Sequence, residues 1–338
     1  MSTLKAINVQ HPSSSTINIV NDSSGNITVG NNLTVTGTST ITGNETVSGT
    51  LSMGSSFKRN RIINGNMGVW QRGTSGFTTS GNYAADRWFV TASTSLSAVA
   101  QSTDVPSGFK YSISINGTNY PSLIQRIESV NTTDLVGQSV TISFWLKQTV
   151  GAGASSVAVY LNYPSATDNY TSSTNISPTQ YLTATSSWTQ YIFTVASLPS
   201  GAANGLGLVF AAQSSGAATF LVTGVQLEVG TKATPYEMQI YSDQLAQCQR
   251  YYEVNNLSSS TYYYVTLISN DASYRAASST FVVTKRTAPT MVFSSSGASI
   301  GSAGSLNTNV AGWNWTGGPG YTVGTAYTVG NWTASSEL

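Results

Sequence analysis

The stretch Val140-Thr-Ile-Ser-Phe-Trp-Leu-Lys147 alternates apolar and polar side chains. Successive side chains of a β-strand point to opposite faces, so Val140, Ile142, Phe144 and Leu146 would share one face. A strand with one apolar face belongs to a sheet that covers a core on that side and meets solvent on the other. The stretch therefore predicts one strand of an antiparallel sandwich.

The same alternation recurs on both sides of this strand, with turn-forming residues every ten or so positions. A series of this kind predicts an all-β chain with a jelly-roll β-sandwich, which we place at residues 57–237. The other alternating sets are Phe109, Tyr111, Ile113 and Ile115; Val157, Val159, Leu161 and Tyr163; Tyr191, Phe193 and Val195; and Leu206, Leu208 and Phe210.

One predicted strand changes phase in its middle. Phe220 and Val222 are out of phase with Val225 and Leu227, and Gly224 lies between the two pairs. A β-bulge absorbs one extra residue, and glycine tolerates the backbone conformation that this requires. We therefore predict a bulge at Gly224.

Composition excludes several classes of function. Only 8% of the 338 residues are charged and the formal net charge is +1, whereas about a quarter of the residues of a typical domain are charged. No basic field is present to attract nucleic acid, which we do not expect as a partner. The single cysteine, Cys248, excludes a disulfide framework, and the single histidine, His11, leaves a Ser-His-Asp triad or a zinc site without its usual residues.

The sequence also argues against membrane insertion and export. No apolar run is long enough to span a bilayer, and Met1-Ser-Thr-Leu-Lys5 lacks the apolar core of a signal peptide. We therefore expect no membrane insertion and no export by a signal peptide.

A six-residue repeat occupies residues 30–56. Written from Leu33 it reads LTVTGT, STITGN, ETVSGT, LSMGSS, with one apolar residue and one glycine in most units. This pattern is typical of a β-solenoid or β-prism, in which each unit is a short strand and the glycine makes the corner. The apolar column consists of Val29, Val35, Ile41, Val47 and Met53.

The repeat is too short to fold alone. It would supply fewer than two turns, whereas a solenoid needs at least about three stacked repeats to bury a continuous core. We therefore predict an intertwined homotrimeric stalk, with the apolar column on the three-fold axis. The alternative is a flexible linker rich in Thr, Ser, Gly and Asn.

Residues 1–29 precede this stalk. Ile17 and Ile19 are followed by the turn-rich stretch Asn21–Asn26 and by a second apolar pair, Ile27 and Val29, which together predict a hairpin that leads into the repeat. An N-terminal segment with exposed apolar residues is expected to dock onto another protein.

A helix is predicted after the sandwich, at residues 238–254. Thr234-Pro-Tyr-Glu237 has the residues of a capping box with proline at the first helical position. The helix would link the sandwich to the next region, or form a short trimeric coiled coil, and Cys248 would be a small buried hydrophobe rather than a nucleophile. Its apolar stripe is Met238, Tyr241, Leu245, Cys248 and Tyr252.

Residues 255–338 form a second predicted β region, a small C-terminal sandwich. Its expected strands are Tyr262–Ile268, Ser279–Thr284 and Thr290–Phe293. Aromatic residues on turns near Gly317–Gly320 would offer a platform on which the C–H groups of a sugar can stack, and the alternative is that they fill the core of a small domain. The candidate receptor-binding residues are Trp313, Trp315, Tyr321 and Trp332.

Charged and aromatic residues cluster again near the start of the sandwich. Arg72, Asp86 and Arg87 would form ion pairs in a hairpin, and Trp70 and Trp88 would stack at the sandwich edge. Contact with a receptor or with another subunit is the alternative role for this cluster.

We expect no cofactor and no catalytic residue. A structural calcium ion held by Asn64, Asn66 and Glu228 is an alternative, although these oxygens do not form a clustered acidic loop.

Several stretches resemble the sandwich domain of tail-fibre and related structural proteins of tailed bacteriophages, a domain that is itself similar to carbohydrate-binding modules. They are Asn60–Gly73, Ala85–Trp88, Ser143–Lys147, Gly224–Gly230 and Thr234–Glu237, together with Asn18–Asn26 and the final Glu337-Leu338. The resemblance implies a trimeric virion fibre, made in the host cytoplasm. It would attach to other virion proteins through residues 1–29 and present its β domains to a glycan or protein of the host surface.

Two other functions fit the same resemblance. One is a head-fibre, decoration or tail-appendage protein without a receptor role. The other is a glycan depolymerase, which needs two carboxylates about 5 to 9.5 Å apart. Depolymerase spikes of this kind usually carry a long parallel β-helix with many stacked turns, whereas the repeat at residues 30–56 is only five units long.

Overall fold

The computed structural model describes residues 8–9, 19–21, 27–29, 58–150, 156–183, 185–255, 263–265, 274–293, 302–305, 308–316, 327–329 and 332–338. The chain divides into two compact units, Met1–Gly54 and Ser55–Leu338. The division falls two residues before the boundary predicted after Ser56, and the second unit includes both the jelly roll and the C-terminal β region.

The N-terminal unit contains a three-stranded antiparallel sheet in the order β1-β2-β3. Ile19 pairs with Val29 and Asn21 pairs with Ile27, so the hairpin predicted around Asn21–Asn26 is confirmed. The strands are β1 (Asn8–Val9), β2 (Ile19–Asn21) and β3 (Ile27–Val29).

Eleven strands form the jelly roll. Short 3-10 helices at Ser129–Asn131, Thr133–Leu135 and Ser200–Asn204 lie in its connections. The strands are β4 (Asn82–Tyr83), β5 (Trp88–Thr91), β6 (Ser95–Ser102), β7 (Ser112–Thr118), β8 (Ser122–Ile127), β9 (Val140–Val150), β10 (Val157–Ala166), β11 (Asn169–Leu182), β12 (Thr189–Val195), β13 (Leu206–Ala212) and β14 (Ala217–Val229).

The order of strand pairing establishes the jelly-roll topology. One sheet has the order β11-β10-β13-β8-β5-β4 and the other has the order β12-β9-β14-β7-β6. The antiparallel pairs are nested: β10 with β11, β9 with β12, β8 with β13, and β7 with β14. A jelly roll is a long folded hairpin wrapped into two sheets, and it produces this nesting.

The core lies between the two sheets. Val140, Ile142, Phe144 and Leu146 are all fully buried, as the alternation of β9 predicted. Phe144 meets Phe210 of the opposite sheet edge to face, with 4.9 Å between the ring centroids. The predicted strands therefore present their apolar faces to one shared core.

Gly224 is the site of a bulge in β14, as predicted. The register between β14 and β9 shifts between Thr223 and Gln226. The φ angle of Gly224 is 63°, in the left-handed region that favours glycine. A Cβ atom here would lie 2.6 Å from the ring of Phe109, so the missing side chain also makes room for that ring.

The predicted helix is present but shorter, and its predicted cap is wrong. Helix α1 (Tyr241–Gln249) begins after Ile240, which makes no side-chain capping hydrogen bond. The Glu237 carboxylate instead accepts hydrogen bonds from the backbone amides of Lys58 (2.6 Å) and Asn60 (2.9 Å). This interaction holds residues 234–237 against the start of the jelly roll, so they are not available to cap a helix.

The predicted stripe on this helix is only partly buried. Met238 and Tyr241 are exposed, whereas Gln244 and Cys248 are the buried residues of α1. Cys248 is fully buried, as predicted, and burial raises the pKa of its thiol well above the usual value. No helix within the described part of the chain is long and apolar enough to span a membrane.

The C-terminal region consists of small antiparallel sheets in the orders β15-β22-β18, β16-β21 and β17-β20-β19. The strand predicted at Ser279–Thr284 is displaced, since β17 ends at Thr280 and Val282 and Thr284 are exposed outside any strand. The strands are β15 (Tyr252–Asn255), β16 (Tyr263–Val265), β17 (Tyr274–Thr280), β18 (Thr290–Phe293), β19 (Ser302–Ser305), β20 (Val310–Thr316), β21 (Tyr327–Val329) and β22 (Trp332–Ser335).

Candidate functional site

A groove of about 740 Å³ opens on the surface of the second unit. Its walls are the turn-rich residues 66–74, the end of β6 with the connection to β7, and residues 238–244, which include the first turn of α1. Aromatic rings and side-chain amides dominate the lining. Trp70, Phe109, Tyr111 and Tyr241 supply the rings, and Asn66, Gln101, Gln239 and Gln244 supply the amides.

The first wall is a turn held by the buried Asn64. Its side-chain amide donates to the carbonyl of Val69 (2.9 Å) and to that of Asp86 (3.0 Å), and its Oδ1 accepts from the Val69 amide (3.0 Å). The φ angle of Asn64 is 59°, a conformation that asparagine adopts more readily than most residues. The side chain thus closes the turn that carries Asn66 and Met67.

This turn orients Trp70. The carbonyl of Met67 accepts a hydrogen bond from the indole Nε1 of Trp70 (2.8 Å) and another from Nε2 of Gln101 (3.2 Å). The indole also packs against the tilted ring of Phe77, with 6.1 Å between the ring centroids. The ring remains half-buried, so it is fixed in orientation and still accessible in the groove.

The second wall carries Phe109 and Tyr111. Phe109 occupies the space that Gly224 leaves and meets the ring of Tyr236 edge to face at 5.2 Å. The hydroxyl of Thr223 donates to the carbonyl of Tyr111 (2.7 Å). The bulge in β14 therefore positions this wall, because the register shifts between Thr223 and Gln226 and Gly224 lies within that interval.

The third wall is attached to the first by side-chain amides. Gln244, which is buried in α1, donates from Nε2 to Oδ1 of Asn66 (2.9 Å), and that oxygen also accepts from the amide of Gly68 (3.2 Å). Gln247 donates to Oε1 of Gln239 (3.1 Å). These bonds fix the start of α1 beside the turn, with the ring of Tyr241 61% exposed at the rim.

The groove carries one cation and no acid among the described residues of its lining. The cation is Lys110, whose ammonium lies 5.1 Å from the ring centroid of Tyr111. All other polar side chains of the lining are neutral.

No protein-family model matches the sequence. No curated protein is similar to it either.

Solved structures with a similar arrangement of strands include the enzymatically active domain of tailspike protein 4 from bacteriophage CBA120. The identity is 16%, the TM-score is 0.36, and the similarity covers 51% of this chain and 22% of the tailspike chain. A CBM4 domain has 20% identity and a TM-score of 0.35, over 50% of this chain and 99% of that domain. The CBM22-1 xylan-binding domain of Paenibacillus barcinonensis Xyn10C has 14% identity and a TM-score of 0.32, over 46% of this chain and 95% of that one.

The fold assignment rests on the nested strand pairs of the jelly roll. The chain covers less than a quarter of the tailspike chain.

The charged residues predicted to cluster near the sandwich edge form ion pairs in the structure. Arg72 forms an ion pair with Asp86 (3.2 Å) and a second with Glu337 (3.2 Å), and Arg87 also pairs with Glu337. Trp88 is fully buried against Phe210 and does not stack on Trp70, contrary to the prediction. Burial raises the pKa of the Asp86 carboxyl to about 6, although Arg72 opposes the rise.

Three of the four predicted receptor-binding aromatics, Trp313, Trp315 and Trp332, lie in strands of the structure. Trp313 and Trp315 belong to β20, which lies between β17 and β19. Trp332 is 5% exposed and meets Phe281 edge to face at 5.7 Å, so it fills a core instead of offering its face to a ligand. Tyr321 lies outside the described residues. A receptor role for Trp313, Trp315 and Tyr321 stays a prediction.

The predicted trimer axis is described only at Val29. This residue is half-buried in β3, opposite Ile19. Val35, Ile41, Val47 and Met53 lie outside the described residues.

The three suggested calcium ligands are engaged with different partners. Asn64 closes the turn described above, Asn66 accepts from Gln244, and the Glu228 carboxylate accepts from the hydroxyl of Thr234 (2.7 Å). No group of three or more His, Cys, Asp or Glu side chains that could hold a metal ion occurs among the described residues.

The groove is not predicted by the sequence alone. The alternation predicts Phe109 and Tyr111 on the apolar face of a strand, although β7 begins only at Ser112. The proline and glycine in Pro106-Ser-Gly-Phe109 are turn signals that point to a loop here. The helical spacing predicts Met238 and Tyr241 on a buried stripe, but both are exposed. Met238 precedes α1 and Tyr241 is its first residue.

Proposed function

We propose that this protein is a non-enzymatic, homotrimeric fibre protein of a bacteriophage virion that attaches through residues 1–29 and binds a glycan of the host surface. We further propose that the groove between Trp70 and Tyr241 is the glycan site. The combination of accessible rings and neutral amides in one groove carries the second proposal.

The chemistry of the groove matches that of a sugar. A pyranose has apolar C–H faces that pack on aromatic rings, and hydroxyl groups around its edge. Each side-chain amide offers both a hydrogen-bond donor and an acceptor, as each hydroxyl does. Trp70 is held by the Met67 carbonyl and Asn66 by Gln244, so the site is arranged before the ligand arrives.

The groove supports binding more than hydrolysis. Glycoside hydrolysis commonly requires two carboxylates about 5 to 9.5 Å apart. No Asp or Glu belongs to the described residues that line the groove. Incubation with host capsule or lipopolysaccharide should therefore release no reducing ends, and their release would contradict a purely binding role.

The repeat at residues 30–56 is the basis for the proposed trimer. A shared apolar core requires more than one copy of so short a repeat. Three grooves on one stalk would bind a repeating surface glycan with an avidity about 10²- to 10⁴-fold above that of one site.

A glycan array tests the proposed site. Full-length protein should bind a subset of bacterial surface glycans, and Trp70→Ala should abolish detectable binding. The matched control is Tyr181→Ala, which removes a ring that is 68% exposed on β11 and does not line the groove. Equal binding by the wild-type chain and Trp70→Ala would overturn the assignment of the site. A lack of binding to glycans and to host cells would favour the purely structural virion role.

Light scattering tests the proposed trimer. The wild-type chain should have the mass of three copies, and Ile41→Asp with Val47→Asp should reduce it to one copy, because two charges per chain would enter the shared core. The control is Thr42→Asp with Ser48→Asp, which adds the same two charges at the positions that follow Ile41 and Val47. This variant should remain trimeric. A monomeric wild-type chain would contradict the stalk.

A further inference from the structure

We propose that the glycan bound in this groove is acidic and that Lys110 binds its anionic group. The inference rests on the proposed glycan-binding function and adds the charge of the ligand.

Lys110 is placed between the two aromatic residues of the second wall. It is exposed, it follows Phe109 directly, and its ammonium lies 5.1 Å from the centroid of the Tyr111 ring. The cation is attracted by the face of that ring, which favours a side-chain position over the groove. A sugar packed against the rings of this wall would therefore have its substituents next to the ammonium.

Lys110 differs from most of the described Lys and Arg side chains because no described carboxylate pairs with it. Lys147 pairs with Asp104 (2.6 Å) and Arg61 pairs with Asp134 (2.6 Å), and most other described Lys and Arg side chains also have an acidic partner. No carboxylate lies within ion-pair distance of Lys110 in the described part of the chain. The groove is therefore a positively charged site in a protein with a formal net charge of only +1.

The acid nearest to Lys110 in sequence is bound elsewhere. Asp104 lies in the same connection between β6 and β7. Its carboxylate accepts from Lys147 on one oxygen and from the indole Nε1 of Trp188 (2.9 Å) on the other. These bonds lower the pKa of Asp104, with the Lys147 hydrogen bond as the largest cause, so the carboxylate stays ionised with those partners.

An anionic substituent complements this arrangement better than a hydroxyl does. A charge-assisted hydrogen bond is roughly twice as strong as a neutral one. A neutral glycan that covers Lys110 would remove water from the ammonium without supplying a counter-charge. The groove should therefore discriminate by charge between glycans of otherwise similar shape.

The test uses pairs of bacterial polysaccharides. One member of each pair is an acidic polymer, and the other is the same polymer made neutral by reducing its carboxyl groups or by removing its sulfate or phosphate groups. Wild-type protein should bind the acidic member about tenfold more tightly, and raising NaCl from 50 to 500 mM should remove most of the difference. Lys110→Gln should reduce that preference to about twofold or less, whereas Lys232→Gln, an exposed lysine outside the groove, should preserve it.

The outcomes separate this inference from the proposed function. Equal affinity for both members of each pair, with binding still lost in Trp70→Ala, would overturn the acidic ligand and leave the glycan site intact. An unchanged preference in Lys110→Gln would overturn the role of Lys110. No binding to any polymer would overturn the glycan-binding function and this inference together. Thermal unfolding of each variant establishes that the fold is retained.

Discussion

The two aromatic-rich regions of the second unit differ in how they use their rings. In the groove, Tyr241 is 61% exposed where the chain enters α1, whereas Trp332 is 5% exposed in the central strand of the sheet β15-β22-β18. Trp332 packs against Phe281, and Tyr241 lines an open groove. The comparison shows that the number of aromatic residues does not identify a ligand platform. A ring on a strand inside a sheet can be buried as core, whereas a ring on a loop at the sheet edge can stay accessible.

Trp332→Ala should have the largest effect on stability. Truncation of a buried tryptophan costs about 3 to 5 kcal/mol, from lost transfer free energy and from the cavity that it leaves. Denaturant unfolding should show this loss, while glycan affinity of the folded fraction remains within twofold. Val292→Ala, on the neighbouring strand β18 and 63% exposed, is the control and should cost less than about 0.5 kcal/mol. A stable Trp332→Ala protein that fails to bind glycans would reverse the comparison.

Ion pairs of Arg72 with Asp86 and Glu337, and of Arg87 with Glu337, connect the jelly roll to the residues that follow β22. Because Asp86 is buried there, the stability of the protein should depend on pH. The pKa of Asp86 in the folded protein, about 6, lies above the usual value of 3.8, so the folded state binds the proton more tightly. The contribution of Asp86 to stability therefore grows as pH falls through 6 towards 4 and is lost as pH rises through 6. The change is at most about 3 kcal/mol.

Urea unfolding of the wild-type chain and of Asp86→Asn at pH 4, 5, 6 and 7.5 measures this contribution. The difference in unfolding free energy between the two proteins should change in favour of the wild type at the lower pH values. A difference that stays constant across this range would mean that Asp86 keeps an ordinary pKa in the folded state.

Tyr241→Ala is the reciprocal of the Trp332 substitution. It should weaken glycan binding by about 1 to 2 kcal/mol, which is about 5- to 30-fold, because an accessible anchoring ring is lost. Stability should change by less than about 0.5 kcal/mol, since the residue is exposed. Calorimetric titration with the glycan identified on the array gives the first quantity. A large loss of stability would show that Tyr241 is core and that the groove has been misassigned.

Gly224→Ala should have the smallest effect of these substitutions. It should lower both the stability of the jelly roll and the affinity of the groove for glycan. A non-glycine residue at φ 63° costs about 1 kcal/mol, and the new Cβ would push the Phe109 ring, 2.6 Å away, out of its position. We expect a modest fall in melting temperature with several-fold weaker glycan binding. Gly230→Ala, also at positive φ but with no atom within 4 Å of its Cβ, controls for the backbone strain alone.

The jelly roll could be predicted from the sequence because its strands have one apolar and one polar face. The alternation around Val140–Leu146 identified a buried face, and the phase change at Gly224 identified the bulge. Both signals are local, since strand geometry fixes which side chains share a face.

The helix and the site could not be predicted in the same way, because long-range contacts determine them. The hydrogen bonds from Lys58 and Asn60 to Glu237 join residues that are far apart in sequence, and they displaced the predicted cap. Gln244 and Asn66 are likewise distant in sequence, and their hydrogen bond brings two walls of the groove together. For Trp332, the pairing of β22 with both β15 and β18 buries a ring that the sequence alone placed near turns.

A crystal structure of the chain with an oligosaccharide from the array tests the central claim most directly. We predict sugar rings packed against Trp70 and Tyr241, with hydroxyls bonded to the amides of Asn66 or Gln101. A sugar bound beside Trp313 and Trp315 on β20, with the groove empty, would contradict the account.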